Sequence, residues 1–100
     1  MPYFAVVRER GPAWDATRGM REQDGWPDHA AFMDALAADG SIVLGGPVGT
    51  GDRIFLLIFN AESEEAIRAR LEGDPWTPAK QLAIARIDPW QILLGTPPDA

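Results

Sequence analysis

The stretch "RIFLLIF", from Arg53 to Phe59, decides the fold class that this sequence predicts. Its residues from Ile54 to Phe59 are apolar without a break, so both faces of a strand formed here would be apolar. An antiparallel strand with one face in water alternates apolar and polar residues instead. The stretch therefore predicts a strand that is covered on both faces, by helices on one side and by a second partner on the other.

The segments around this strand give the order β-α-β-β-α-β. A Gly-Pro pair ends the first strand, Pro27 suits the first turn of a helix, and glycines close both helices. The predicted strands are Tyr3–Arg10, Ser41–Leu44, Arg53–Phe59 and Leu82–Ile87, and the predicted helices run from Pro27 to Gly40 and from Ser63 to Gly73. This order predicts an α+β, ferredoxin-like fold with a four-stranded antiparallel sheet and two helices on one face.

The connections are predicted from the loss of periodicity and from glycine and proline. Gly11 to Gly25 forms a long loop, and Gly45 to Asp52 forms a turn region between two strands. Asp88-Pro89 is expected to end the last strand, and Ile92 to Leu94 to add a small edge piece.

The second face of the sheet lacks a covering element in the predicted order. Tyr3 to Val7 is nearly as apolar on both faces as Ile54 to Phe59, and the chain offers no third helix. A second copy of the chain is the simplest cover for so large an apolar patch. We therefore expect a homodimer in which the open sheet faces meet.

Composition limits the function classes. The 100 residues are 46% apolar and 24% charged, which predicts one globular domain, at residues 1–95, with a flexible tail at 96–100. The net charge of −6 argues against a nucleic-acid partner and against an anionic membrane surface. There is no cysteine, and the sequence shows neither a signal peptide nor a membrane span, so we expect a cytoplasmic protein.

His29 is the only histidine of the chain and the first candidate for chemistry. Its helical position falls between Phe32, Met33 and Leu36, so it points inward. One interpretation is a core histidine with satisfied ring nitrogens, and the other is a general acid or base. A metal site is the weaker interpretation because no second histidine or carboxylate cluster accompanies it.

The stretch "GDPWTP", Gly73 to Pro78, has a simple structural interpretation. Gly73 ends a helix, Asp74 caps the following turn and Pro75 occupies its first position. A carboxylate at such a helix end can also orient a histidine ring.

The remaining candidates concern a ligand. The segment "GGPVGTG" lacks the Gly-Lys-Ser/Thr ending of a phosphate loop and suits a hairpin, although backbone amides near Gly46 can serve a small anionic or carbonyl group. Trp14, Trp26 and Trp76 can wall a pocket for a flat ligand, and packing explains each of them equally well. Arg21, by its loop position alone, is a candidate partner for a substrate carboxylate or enolate.

Several of these motifs together resemble a known family. "HAAFMDALAADGSIVLGGP" is similar to the histidine helix and Gly-Gly-Pro turn of YCII-related (YciI-like) proteins, "DPW" at Asp74–Trp76 to their Asp-Pro-aromatic motif, and "IDPW" at Ile87–Trp90 to their closing strand. The resemblance implies a dimeric α+β barrel built from ferredoxin-like halves. It also implies a His–Asp pair in a cleft, which here is His29 and Asp74.

The residues and the resemblance lead to one main hypothesis. His29 would move a proton and Asp74 would hold its ring, in a lyase, dehydrohalogenase or isomerase that acts on a compact, possibly cyclic metabolite without a cofactor. The alternatives are a non-catalytic ligand-binding or accessory domain on the same barrel and a purely structural dimer module, with His29 and Asp74 as a structural pair.

Overall fold

The order of elements in the computed structural model, which describes residues 2–95, is the predicted one. A short 3₁₀ helix at Met20–Glu22 interrupts the long first loop. The elements are β1 (Tyr3–Arg10), α1 (Trp26–Ala38), β2 (Ile42–Val48), β3 (Ile54–Asn60), α2 (Glu64–Leu71) and β4 (Leu82–Trp90). The predicted flexible tail at 96–100 lies outside the described residues.

The four strands form one antiparallel sheet in the order β2-β3-β1-β4. The two strands with the densest apolar sequences, β1 and β3, are the interior strands of this sheet. The ferredoxin-like α+β fold expected from the sequence is thus confirmed.

Alternation along the interior strands divides the sheet into two faces. Phe4 and Val6 of β1 and Leu57 and Phe59 of β3 point toward the helices and are buried. They pack with the buried helix residues Leu36, Ile67 and Leu71 in one apolar core. This core fixes α1 against the sheet, and α1 carries the candidate histidine.

The face away from the helices is open, and it carries exposed apolar side chains beside charged side chains of β4. Leu44 of β2 is 57% exposed and Ile54 of β3 is 45% exposed. Val48 and Trp90, also on this side by strand pairing, are exposed as well. Large apolar residues exposed on one face of a sheet are typical of an interaction surface.

Strand β2 is longer than the sequence predicted. Gly45 to Val48, expected in a turn, continue the strand, with Gly45 opposite Leu57 and Val48 opposite Ile54. The prediction was wrong because glycine and proline are poor strand formers on average, whereas β2 is an edge strand, in which a residue without an N–H such as Pro47 is tolerated. The turn itself is shorter and contains Gly49 and Gly51, both with positive φ.

Strand β4 also runs beyond its predicted end. Asp88 and Pro89 were expected to stop it, but Pro89 pairs with Phe4 and the strand reaches Trp90. The cause is again the edge position of β4, where a missing N–H costs little. The edge piece expected at Ile92–Leu94 was wrong, since these residues form no strand.

The long loop between β1 and α1 is held by one buried glutamine. The amide nitrogen of Gln23 donates to the carbonyl oxygens of Asp15 (2.7 Å) and Arg18 (3.1 Å), and its side-chain oxygen accepts from the N–H of Asp15 (2.9 Å). The loop therefore has a defined shape where it leads into α1. None of the helices within residues 2–95 is both long and apolar enough to cross a membrane.

Candidate active site

Helix α1 carries His29 in its first turn. The helix begins after Gly25, whose carbonyl oxygen accepts the first helical hydrogen bond from the N–H of His29 at 3.0 Å. Pro27 stands in the first turn as predicted. His29 is buried on the side of the helix that faces the sheet, so its ring requires polar partners inside the protein.

The turn after α2 supplies the main partner. Asp74 follows the helix end at Gly73, and its carboxylate accepts a hydrogen bond from the N–H of Trp76 at 2.9 Å. This bond makes the turn itself an Asx turn, which explains the aspartate in structural terms. The indole N–H of Trp76 donates to the carbonyl oxygen of Asp24 at 2.8 Å and so ties this turn to the start of α1.

His29 and Asp74 are in direct contact. The Nδ1 atom of His29 lies 2.9 Å from each carboxylate oxygen of Asp74, which is fully buried. Because a carboxylate can only accept, Nδ1 carries the proton in the neutral ring and Nε2 holds the free electron pair. The ring of Trp76 stacks on the imidazole, with centroids 3.8 Å apart and planes within 8°. The imidazole is therefore held both in its plane and in one tautomer.

Arg8 is the residue of this site that the sequence analysis missed. Its Nη1 donates to the Oδ2 of Asp74 at 2.8 Å, and its Nη2 donates to the hydroxyl of Thr77 at 3.2 Å. The guanidinium is almost completely buried, with 1% of the residue exposed. The sequence did contain a signal for Arg8. Residues of a strand alternate between its two faces, so Arg8 lies on the same helix-facing side of β1 as Phe4 and Val6.

The surroundings of Asp74 favour its charged form. Burial raises the pKa of this carboxyl, but the hydrogen bonds from His29, the Trp76 backbone and Arg8, with the positive charge of Arg8, outweigh burial and hold the pKa below its ordinary value. Asp74 is therefore an ionised acceptor at neutral pH, as a residue that orients a histidine should be.

A cavity of about 260 Å³ opens beside this cluster, between α1 and β2. Arg8, His29 and Trp76 line it together with the backbone of the Gly45–Pro47 segment. Its other lining residues are mostly apolar and are Met20, Met33, Asp34, Ala37, Ile42, Val43, Leu44, Phe55, Leu57 and Leu82. An apolar cavity with a few convergent polar groups is the usual form of a small-ligand site.

Of the five residues that the sequence suggested for ligand binding, two line the cavity and three do not. Trp76 and Gly46 line the cavity. Trp14 packs edge-on against Trp76, with 5.8 Å between the ring centroids. The ring centroid of Trp26 lies 5.7 Å from that of His29. Neither Trp14 nor Trp26 lines the cavity. Arg21 is exposed and lies over Trp26 at 5.8 Å from its ring centroid, also away from the cavity lining. The assignment of all five to ligand binding stays a prediction.

No three His, Asp or Glu side chains within residues 2–95 are grouped as a metal site requires. The ionisable residues that line the cavity are Arg8, His29 and Asp34. Such an arrangement can bind a small ligand and exchange a proton with it through Nε2 of His29.

The chain is similar to a known protein family and to a solved structure. The profile of the YCII-related domain matches residues 1–91. Among solved structures, the chain is similar to 5-chloro-2-hydroxyhydroquinone dehydrochlorinase (TftG) from Burkholderia phenoliruptrix AC1100 in complex with 2,5-dihydroxybenzoquinone, with a TM-score of 0.67 and 29% identity over 89% of this chain and 93% of that chain. No match was found among curated proteins. The family resemblance that the sequence motifs indicated is confirmed.

The buried carboxylate gives a testable pH dependence of stability. We expect Asp74→Asn to lower the free energy of unfolding at pH 7 by about 3–5 kcal/mol, because it leaves the Arg8 guanidinium buried without its counter-charge. Since the native pKa of Asp74 is lowered, the stability from its charge is present above the unfolded pKa of about 3.9 and is lost as the pH falls through the native value. Urea unfolding followed by tryptophan fluorescence between pH 7 and pH 3 measures both effects.

Asp34→Asn removes an exposed carboxylate of α1 and is the control, which should change the free energy of unfolding by less than about 0.5 kcal/mol. The gap in unfolding free energy between the wild type and Asp74→Asn should narrow as the pH falls below about 4. A gap that keeps its pH 7 size down to pH 3 would show that Asp74 is not a stabilising anion.

Proposed function

This chain belongs to the YCII-related family, and we propose that it is a small-molecule enzyme in which His29 transfers a proton on a compact, hydroxylated ring. The observation that carries the proposal is the state of the His29 ring. Its Nδ1 is bound to a buried carboxylate at 2.9 Å, and its residue lines a cavity large enough for a ligand. Among residues 2–95, none forms a hydrogen bond with its Nε2, so that nitrogen is available to a ligand.

Each residue of the cluster has a distinct part in the proposed step. Nε2 of His29 accepts a proton from the ligand, and Asp74 stabilises the positive charge that the ring then carries. Trp76 keeps the imidazole in its plane by stacking, and it forms part of the cavity wall. Trp14 and Trp26 pack against Trp76 and support it from outside the cavity. Arg21 takes no part in the proposed step.

The size and lining of the cavity favour a ligand of one ring. A volume of about 260 Å³ is close to the lower end of the ~300–1,000 Å³ usual for ligand pockets. The lining is mostly apolar, which suits the faces of a flat ring, and its polar groups suit hydroxyl or carbonyl substituents. The similar dehydrochlorinase is in complex with a dihydroxylated ring, 2,5-dihydroxybenzoquinone, which supports this class of substrate.

The reaction type that we propose is elimination or isomerisation. In an elimination, Nε2 of His29 takes a proton from a C–H or a conjugated O–H group, and the electron pair of that bond becomes a new π bond. The pair of a carbon–halogen bond leaves with the halide, and His29 later returns its proton to water. The ligand loses HX in total, so the step needs no oxidant or reductant.

A non-catalytic ligand-binding role is the second candidate. The observation that favours it is the burial of His29 and Asp74, because a hydrogen-bonded pair of this kind also stabilises a fold without any turnover. Under this alternative the cavity binds the same class of ring, but the protonation of His29 does not change during binding.

We also propose that the chain is a homodimer through the open face of its sheet. The exposed apolar residues Leu44, Val48, Ile54 and Trp90 all lie on that face. Covering them removes four large apolar side chains from water, and a two-fold axis would bring two copies of the same face together. The apolar side of β3 that faces away from the helices then has a partner.

His29→Gln tests the catalytic proposal. Turnover is followed by halide release and ultraviolet absorbance on a panel of chlorinated and unchlorinated hydroxyhydroquinones. Because glutamine retains hydrogen bonding but is not a base at neutral pH, we expect kcat to fall about 10²–10⁴-fold. Arg70→Gln, an exposed arginine of α2, is the control and should keep the wild-type kcat.

Undiminished kcat in folded His29→Gln would contradict the assignment of His29 as the base. If calorimetry shows that the wild type binds 2,5-dihydroxybenzoquinone but no member of the panel is turned over, the ligand-binding role is favoured instead.

The dimer is tested by placing a charge on the open face. Ile54→Lys should convert a dimer into a monomer in light scattering coupled to size exclusion, because burying an unpaired ammonium at the interface is costly. Ala69→Lys, on the exposed surface of α2, adds the same charge elsewhere and should remain dimeric. A monomeric wild type at the same concentration would refute the proposal.

A further inference from the structure

Arg8 is unusual because it is an arginine in an interior strand of the sheet. The residue is 1% exposed, and β1 lies between β3 and β4. Two of its guanidinium nitrogens bond to Asp74 and Thr77, and its Nε is buried with no hydrogen-bond partner among residues 2–95. Buried cations are expensive, so a buried arginine indicates a specific electrostatic task.

The task follows from the charges around His29. Asp74 is a fully buried anion, and an anion of this kind next to an imidazole favours a proton on both ring nitrogens. Arg8 supplies the opposite charge at 2.8 Å, so the carboxylate is already compensated without a charged imidazole. Among residues 2–95, the other charged side chain that lines the cavity is Asp34 of α1, which is exposed.

We propose that Arg8 is a positioning residue that compensates the charge of Asp74, so that His29 meets the ligand as a neutral base with Nε2 free. The inference rests on the proton-transfer function proposed above and extends it to the class of ligand. A neutral base beside a compensated carboxylate takes a proton from an acid and leaves an anion in the cavity. The substrate is therefore a weak acid, such as a ring with an acidic hydroxyl, that binds neutral and becomes anionic when His29 takes its proton.

The anchoring of Arg8 shows why an arginine stands here. Its Nη2 donates to the hydroxyl of Thr77, and this hydroxyl in turn donates to the carbonyl oxygen of Leu71 at the end of α2, at 2.7 Å. The hydroxyl proton is thus committed to Leu71, and its oxygen is left to accept from the guanidinium. The planar guanidinium can donate to Asp74 and Thr77 at the same time. A lysine ammonium is a compact group without this planar geometry, so it would hold the two contacts less well.

The single histidine makes the proposal accessible to nitrogen NMR. In ¹⁵N-labelled wild-type protein at pH 7 we expect the His29 ring to show a protonated Nδ1 and an unprotonated Nε2. In Arg8→Met the uncompensated carboxylate should draw a proton onto Nε2, so both nitrogens should take the shifts of an imidazolium. For a hydroxyhydroquinone substrate, kcat should fall about 10²-fold with a smaller change in KM, because the base is already protonated.

Three further variants separate this role from a purely structural one. Arg8→Lys keeps the positive charge and should restore the neutral ring and part of the lost kcat. Arg70→Met removes an arginine that pairs with Asp39 on the surface, and it should leave both readouts unchanged. If Arg8→Met does not fold, Thr77→Val, which removes one anchor of the guanidinium, should shift the ring nitrogens part of the way toward imidazolium and lower kcat by a smaller factor.

The proposal is overturned if folded Arg8→Met keeps the wild-type ring nitrogen shifts, or if Thr77→Val keeps the wild-type kcat. It is also overturned if the wild-type ring is an imidazolium at pH 7, since Arg8 then fails to keep His29 neutral. The NMR readout needs no turnover, so its outcome is independent of the substrate screen. A screen without turnover beside the expected ring shifts rejects the proposed enzyme activity but retains the electrostatic role of Arg8.

Discussion

The carboxylate of Asp74 is the acceptor on which the rest of the site depends. Three donors from three parts of the chain converge on it: the guanidinium of Arg8 in β1, the Nδ1 of His29 in α1, and the N–H of Trp76 in its own turn. A buried carboxylate requires such partners, and they outweigh the cost of its burial. One side chain thus joins the sheet, the first helix and the turn after the second helix.

The same interaction connects the fold to its chemistry. Because Asp74 fixes Nδ1 as the protonated nitrogen, Nε2 of His29 is the atom that remains for a ligand. The stacking of Trp76 at 3.8 Å removes the rotation that would otherwise take the ring out of position. The cavity thus lies beside an imidazole whose orientation and tautomer are fixed, which is the arrangement on which the proposed proton transfer rests.

Much of this architecture follows from sequence patterns. The unbroken apolar run Ile54–Phe59 predicted an interior strand, and glycine, proline and Ser63 marked the helix ends correctly. The wrong boundaries, at Gly45 and at Pro89, have one cause. Propensity describes an average strand, and it does not identify edge strands, in which glycine and proline are tolerated.

The site was less predictable because its partners are distant in the chain. His29 and Asp74 are separated by 45 positions, and only the family-like motifs suggested that they pair. The alternation along β1 places Arg8 on the helix side of the sheet. A charged residue near the end of a strand is more often exposed to solvent, so the sequence did not identify Arg8 as buried. Trp14 and Trp26 could not be distinguished from cavity residues, because packing against Trp76 and lining a cavity demand the same aromatic side chain.

The central claim is that His29 presents Nε2 to a ring ligand held in the cavity between α1 and β2. The most direct measurement is a crystal structure of the wild-type protein with 2,5-dihydroxybenzoquinone. We expect the ligand ring to lie between Met33 and Gly46, with one ligand oxygen within hydrogen-bond distance of Nε2. A ligand bound elsewhere, or a cavity left empty at saturating ligand, would contradict it.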